Sequence, residues 1–356
     1  MDIGICVASH IGDIDYVVRA EELGYSHAWF ADSQMIWSDC YASLALAAAR
    51  ASRIRLGTGV AVTGVRPAPV TAASIATINA LAPGRTFLGV GTGNTARRIM
   101  GQKPQRIAEY ERYLTELKGL LRGEETAHLH EGQEQLIRHI MPDLGFGNIN
   151  DPIPLYVSGF APRSLALAGK YGDGAVVGAA RSSSVTSLWH MVQAGAREAE
   201  RQLVPGENYY TTALTAMVVL DDGEAVDSDR VKSECGAMAT AALHYSYEGH
   251  RNFGQPPPPY LANVWDDYVK LLDAVPEERR HQRIHAGHNC WVVEEEERFL
   301  TPEVLDAVCL IGTRDQLLEH LSELGRSGLN QVMILPSFAP RYQVIERVAR
   351  DIIPNL

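Results

Sequence analysis

Ile3-Gly4-Ile5-Cys6-Val7-Ala8-Ser9-His10-Ile11-Gly12 lies at the start of the chain, an apolar run that empties into small and polar residues. It reads as a first strand and the turn after it. An open, doubly wound dinucleotide fold needs three spaced glycines at this turn, to let a pyrophosphate approach the backbone. Here there is one, Gly12. Further outward, β-branched or apolar runs recur at Ala28–Ala31, Ile54–Val60, Thr86–Val90, Leu155–Val157, Ala175–Gly178, Thr212–Leu220 and Gln331–Leu335. Between them fall helical patterns at Ile14–Leu23, Tyr41–Ala51, Ala68–Leu81, Ile107–Leu121, Arg163–Tyr171, Ser184–Gln202 and Tyr342–Asp351, with Asp13 and Ser183 as expected N-caps and Gly24 and Gly172 as stops. Strands that alternate with helices predict a parallel sheet, and eight of them most simply close into a (β/α)8 barrel with its active site at the strands' C-terminal ends. The expectation is an α/β fold with residues 1–356 as one domain.

Two stretches interrupt the rhythm. Glu125–Pro152, with Glu131-Gly132 inside it, predicts a hairpin excursion. The longer one, about 223–303, holds the proline run Pro256–Pro259, the histidines His281, His285 and His288, and the acidic run Glu294–Glu297. At the catalytic face such an insertion forms a lid or substrate pocket, although the prolines also fit a stiff connector.

Composition narrows the function. The 356 residues are 46% hydrophobic and 21% charged, as in an ordinary globular enzyme. A net charge of −11 argues against nucleic acid as a partner. The five cysteines are scattered without a C-x-x-C pair, which points to reduced core thiols rather than disulfides or zinc. No apolar run approaches the about 18 residues of a membrane span, and the N-terminus lacks a basic flank, so the expectation is a cytoplasmic protein without a membrane partner.

The strongest local signal for chemistry is Gly84-Arg85-Thr86-Phe87-Leu88-Gly89-Val90-Gly91-Thr92-Gly93-Asn94-Thr95-Ala96, a strand ending in residues small enough for a flat or anionic group to approach the backbone. A tight turn would use the same glycines. The second is Tyr156-Val157-Ser158-Gly159-Phe160-Ala161-Pro162-Arg163, strand, small turn and helix start, followed on the next strand by Gly178-Ala179. Helix N-termini and late-strand loops of a barrel commonly hold phosphate. His10, after the first strand, is a candidate proton carrier, since imidazole titrates near neutrality. His281, His285 and His288 have helical spacing and read as hydrogen-bonding or lid residues, with no metal expected. Arg97, Arg98, Lys103 and Arg106 are candidates for a cofactor phosphate or acidic tail, or simply a solvated helix start.

The ordered motifs Ala28-Trp29-Phe30-Ala31-Asp32-Ser33-Gln34, Arg53 to Val60, Arg66 to Thr77, Gly84 to Ala96, Pro154 to Gly174 and Ile311-Gly312-Thr313 through Gln331 together resemble the luciferase-like monooxygenase superfamily, in particular its methylenetetrahydromethanopterin-reductase-like branch. The resemblance spans nearly the whole chain apart from the insertions. It implies a bacterial-luciferase-like TIM barrel that binds FMN or a deazaflavin (coenzyme F420) without a covalent bond. It also implies that Asp32, Ser33, Gly59, Val60, Gly91, Gly93, Asn94 and Thr95 line the ring, that the peptide between Gly59 and Val60 is cis, and that Ser158, Gly159, Gly178 and Ala179 hold the phosphate. Paired barrels, a homodimer or higher homo-oligomer, are the family's habit.

The chain departs from the family at Ala61-Val62-Thr63, where Thr-Asn-Pro is frequent. It departs again at Ser33, where the family's deazaflavin sugar and alcohol dehydrogenases carry a catalytic histidine. Serine is a poor base without an activating partner. With no NAD(P)H fingerprint in the chain, the sequence ranks first a monooxygenase that takes reduced FMN from a separate reductase and uses dioxygen on a small organic substrate, with His10, Ser33, His285 and His288 as candidate catalytic residues. A deazaflavin-dependent hydride transferase is the alternative, and a non-catalytic flavin-binding barrel is the rival from another class. No strand-end lysine for an aldolase and no Gly-x-Ser-x-Gly elbow for a hydrolase is found.

Overall fold

In the computed structural model, which describes residues 1–178 and 181–356, eight parallel strands close on themselves. They are β1 (Asp2–Val7), β2 (His27–Phe30), β3 (Arg55–Val62), β4 (Thr86–Gly91), β5 (Leu155–Ser158), β6 (Gly174–Gly178), β7 (Tyr210–Thr215) and β8 (Gln331–Ile334). Each pairs with its neighbour in this series, and β8 returns to β1 with Gln331 opposite Asp2. The expected (β/α)8 barrel is the fold.

The interior explains where space is left. Alternate residues of a strand face one side, so Phe87, Gly89 and Gly91 of β4 point the same way, as do Trp29 and Ala31 at the end of β2. Low in the barrel the interior is filled by rings: Trp29 lies 4.3 Å from Phe87 and 5.5 Å from Tyr156, and Tyr156 lies 5.7 Å from Tyr210. The Trp29 indole donates to Gln331 Oε1 at 2.8 Å, which satisfies the polar edge of this plug. Toward the C-terminal ends the same rows shrink to Ala31, Gly91, Ser158 and Gly178. A floor of large rings under a rim of small residues is what the sequence encodes here.

The hairpin forms from Thr126–His130 and Gln133–Ile137, paired antiparallel. Its turn residues Glu131 and Gly132 have φ of 49° and 79°, the doubly positive geometry a two-residue turn needs. The long insertion contains the helices Asp229–Phe253, Trp265–Asp273, Glu277–Ile284 and Pro302–Val308. Ser228 caps the first by accepting from Val231 N at 3.2 Å. One apolar cluster runs without interruption from Trp29 and Phe87 in the barrel to Leu243, Tyr268 and Phe299 in the insertion. No described helix is long and apolar enough to cross a membrane.

The sequence reading needs three local corrections. The run Thr212–Leu220 is not one strand: β7 ends at Thr215, and Met217–Val219 leaves the barrel to pair in parallel with Leu310–Gly312. Asp13 does not cap the first helix, whose N-cap is Ile14, because its carboxylate is taken by the Tyr342 hydroxyl at 2.6 Å and by Arg341. Ser183 lies inside the helix Ser182–Glu198, which starts after Arg181.

Candidate functional site

The rim is built mainly by β2, β3, β4 and β5. The Gly59–Val60 peptide is cis, and the register of β3 on β4 shifts between Thr58 and Ala61. The Val60 side chain then reaches over β4: a Cβ placed on Gly91 would come within 2.8 Å of Val60 Cγ2 and 3.4 Å of Ser158 Cβ. Gly93 has φ +75°, and a Cβ there would stand 2.1 Å from Val62 Cγ1. Glycine is therefore required at 93 twice over, by conformation and by space. Gly93 is also the N-cap of the short helix Asn94–Arg98.

Asp32 is held rather than free. Its residue is 4% exposed, Arg66 Nη1 donates to its two oxygens at 2.8 and 2.7 Å, and Val62 N donates at 3.2 Å. Arg66 also binds Asp39 at 2.8 Å and lies 4.9 Å over the Tyr41 ring. Asp32 thus positions the end of β3 through Val62. Arg66 is a residue that sequence reasoning missed in this role, although it stands in one of the motifs. Ser33 is buried beside Asp32, and its carbonyl accepts from Ile36 and Trp37 N–H groups.

On the phosphate side, Gly159 N donates to Val176 O at 3.3 Å, and Ala161 N donates to Ser164 Oγ at 3.2 Å. Gly178 faces the Phe160 ring, which a Cβ at 178 would meet at 2.9 Å. Ala179 lies outside the described residues.

The insertion brings His285 and His288 to the same rim. Thr95 Oγ1 lies 3.5 Å from His288 Nε2, and the His288 ring sits 5.7 Å from that of His285 and 5.8 Å from Trp37. Neither ring nitrogen of the buried His285 has a partner, and His288 Nδ1 has none. Burial pushes His285 down to about 4, helped by His244 and Arg98, and pushes His288 down to about 3, helped by His285 and His244. Both are neutral at pH 7. His10 is not part of this group: it is exposed at the end of β1, 5.9 Å from Phe338, beside a cleft that Asp13, Tyr16 and Arg341 also line.

Two polar residues, Glu248 and Glu296, were not legible as site residues, and Arg98, one of the candidate basic group, has Glu248 as an unforeseen partner. Arg98 and Glu248 are both buried and lie 3.2 Å apart, and Arg98 Nε also donates to Asn94 Oδ1 at 2.6 Å. Burial raises the Glu248 carboxyl to about 7, against the opposing pull of Arg98 and of a hydrogen bond from Asn94. Glu296, from the acidic run, is 1% exposed and accepts from Arg283 at 3.0 Å and pairs with His244 at 3.0 Å. Of the basic group after β4, Arg97 spends its guanidinium on the carbonyls of Gly64 and Lys103. No cluster of three or more His, Cys, Asp or Glu able to hold a metal is found among the described residues.

The sequence profile of the luciferase-like monooxygenase family matches residues 12–331. The chain belongs to this family. Among curated members of the wider family group, 5,10-methylenetetrahydromethanopterin reductase of Archaeoglobus fulgidus is 27% identical over 350 residues, 96% of this chain and 94% of the relative. F420-dependent glucose-6-phosphate dehydrogenase of Beutenbergia cavernae is 25% identical over 372 residues, 96% of this chain and 92% of the relative. Among solved structures, coenzyme F420-dependent tetrahydromethanopterin reductase from Methanopyrus kandleri superposes with a TM-score of 0.71 at 18% identity, covering 99% of this chain and 98% of its own. The FMN complex of the oxygenating constituent of 3,6-diketocamphane monooxygenase from Pseudomonas putida superposes with 0.63 at 15% identity, covering 100% and 98%. At those identities the structures attest the luciferase-like barrel.

Proposed function

We propose that this luciferase-like protein is an oxidoreductase that binds the deazaflavin coenzyme F420 at the barrel mouth and transfers hydride to or from a small organic substrate. The observation that carries the proposal is the pair of curated relatives aligned over 96% of the chain, a methylenetetrahydromethanopterin reductase and an F420-dependent dehydrogenase. Support for reduced FMN, dioxygen and a separate flavin reductase, which the sequence alone ranked first, comes from structures at 15% identity and ranks behind it.

The residues fit such a group. A Cβ at Gly91 would collide with Val60 Cγ2 at 2.8 Å and push Val60 from its place over β4, and the unpartnered nitrogens of His285 and His288 are buried polar atoms that a bound molecule can satisfy. Val60, Gly91, Gly93, Asn94 and Thr95 are assigned to the ring, with Asp32 and Ser33 behind them, and Ser158, Gly159, Gly178 and Ala179 to the phosphate. When bound, the deazaflavin supplies or accepts the hydride. The chain's own part is to hold the β3 edge through Asp32 and Arg66 and to present neutral imidazoles at the substrate side. The insertion, about 223–303, acts as the lid that excludes water.

The test is anaerobic: reduced F420 is mixed with the protein and a panel of carbonyl and imine compounds, and oxidation of the coenzyme is followed optically. Turnover that proceeds without oxygen supports the proposal. Oxygen uptake with reduced FMN, matched by an oxygenated product and with no reaction of reduced F420, overturns it.

A further inference from the structure

The insertion helix Asp229–Phe253 sends one carboxylic acid into the rim. Glu248 is 6% exposed, is paired with Arg98 at 3.2 Å and is hydrogen-bonded by Asn94. Asn94 and Arg98 both belong to the short helix that follows the glycine-rich end of β4. The partners of this acid therefore lie on the glycine-rich side of the rim, where the coenzyme ring is assigned. Two other buried acids are spent: Asp32 has both oxygens on Arg66 and Val62 N, and Glu296 is shared by His244 and Arg283.

We propose that Glu248 is the proton-exchanging group of this enzyme, held at the rim by Arg98 and Asn94 and serving a substrate whose reacting carbon carries oxygen or nitrogen. This rests on the hydride-transfer reading above. A carbonyl or imine carbon that gains a hydride, two electrons with one proton, leaves negative charge or a lone pair on its oxygen or nitrogen. The Glu248 O–H bond breaks, the new O–H or N–H bond forms, and the carboxylate left behind is stabilised by the Arg98 guanidinium until solvent returns the proton. In the oxidative direction the carboxylate takes the proton from an alcohol or amine while hydride leaves to the oxidised deazaflavin.

The surroundings suit that task. Burial lifts the Glu248 carboxyl to about 7, where donor and acceptor forms are both populated at neutral pH. The charged and titratable groups around it are Arg98 on the β4 side, Tyr245 on its own helix and Tyr268 on the helix Trp265–Asp273. Beyond them lie His285, which feels Arg98 and His244, and the Glu296 pair. Burial lifts the carboxyl, and Arg98, the cation in direct contact among the described residues, holds that rise back.

Two measurements decide the matter. In the cofactor-free full chain, infrared difference spectra over pH 5 to 9 should show a protonated carboxyl band that disappears with a midpoint near 7 and is missing in Glu248→Gln. Arg98→Met should move that midpoint upward, and it serves as the second variant should Glu248→Gln fail to fold. With coenzyme F420 loaded, Glu248→Gln should lower kcat for carbonyl reduction on the order of 100-fold, leave the coenzyme Kd within about threefold, and abolish the fall in kcat above pH 7. A carboxyl ionised throughout that range, or an unchanged kcat and pH profile in Glu248→Gln, overturns the proposal. A failure of coenzyme F420 to bind wild-type protein, with the infrared titration intact, would instead count against the proposed cofactor.

Discussion

Replacement of Arg66 by methionine tests the idea that a buried ion pair fixes the rim. Asp32 has a side chain 3% exposed and that of Arg66 is 25% exposed, so the substitution leaves a carboxylate inside the protein with the Val62 N–H as the hydrogen-bond donor still facing it. Removing one partner of a buried pair costs about 3–5 kcal/mol, and the partial exposure of Arg66 places this case near about 3. Loss of the contact with the Tyr41 ring adds up to about 1 kcal/mol. Asp32→Asn in the Arg66→Met background removes the stranded charge, so the double variant should recover about 1–2 kcal/mol relative to Arg66→Met. Urea unfolding of wild type, the two single variants and the double variant measures all four corners, with midpoints compared at constant slope. A loss below about 1 kcal/mol in Arg66→Met, with additive single effects, would show that the pair behaves as a surface salt bridge and would refute the reasoning.

Gly93→Ala, which combines φ +75° with a Cβ 2.1 Å from Val62 Cγ1, should cost about 2–3 kcal/mol in thermal or urea unfolding and weaken coenzyme binding. Gly132→Ala at the hairpin turn, with φ +79° and nothing within 4 Å, should cost only about 1 kcal/mol and leave activity unchanged. The raised Glu248 carboxyl favours the folded state while protonated, so its contribution is complete below 4.5 and is lost as pH rises through about 7. Glu248→Gln should therefore gain stability relative to wild type above pH 7, by about 3 kcal/mol at most, in urea unfolding at pH 5 and pH 9. His285, lowered from 6.5 to about 4, acts in the opposite sense: its neutral form fits the fold above 6.5, and stability drains as pH falls toward 4. His285→Gln should flatten that acid limb in the same assay.

Much of the barrel was legible because its strands are compact, largely apolar runs, several of them followed by small residues, and the hairpin because Glu131-Gly132 supplies its turn. The run Thr212–Leu220 looked continuous because Met217–Val219 is as apolar as β7 and is also a strand, in a different sheet. The helix Asp229–Phe253 escaped notice because its buried side carries Glu234, Thr240, His244 and Glu248 among small residues, which blurs the apolar stripe that marks a helix. Partners far apart in sequence were invisible for the same reason in each case. Arg98 looks solvated until Glu248 is folded against it, and Asp32 looks available until Arg66 is found on both of its oxygens.

The central claim is that small residues at the ends of β3, β4 and β5 leave room for the deazaflavin ring. It is tested most directly by equilibrium titration of coenzyme F420 against wild-type protein and Gly91→Ser, followed through the coenzyme's fluorescence, with the variant's fold verified by circular dichroism. The expected result is saturable binding to wild type and at least a tenfold weaker Kd in the variant, about 1.4 kcal/mol. Equal affinity in a folded Gly91→Ser, or no binding to wild type, would contradict it.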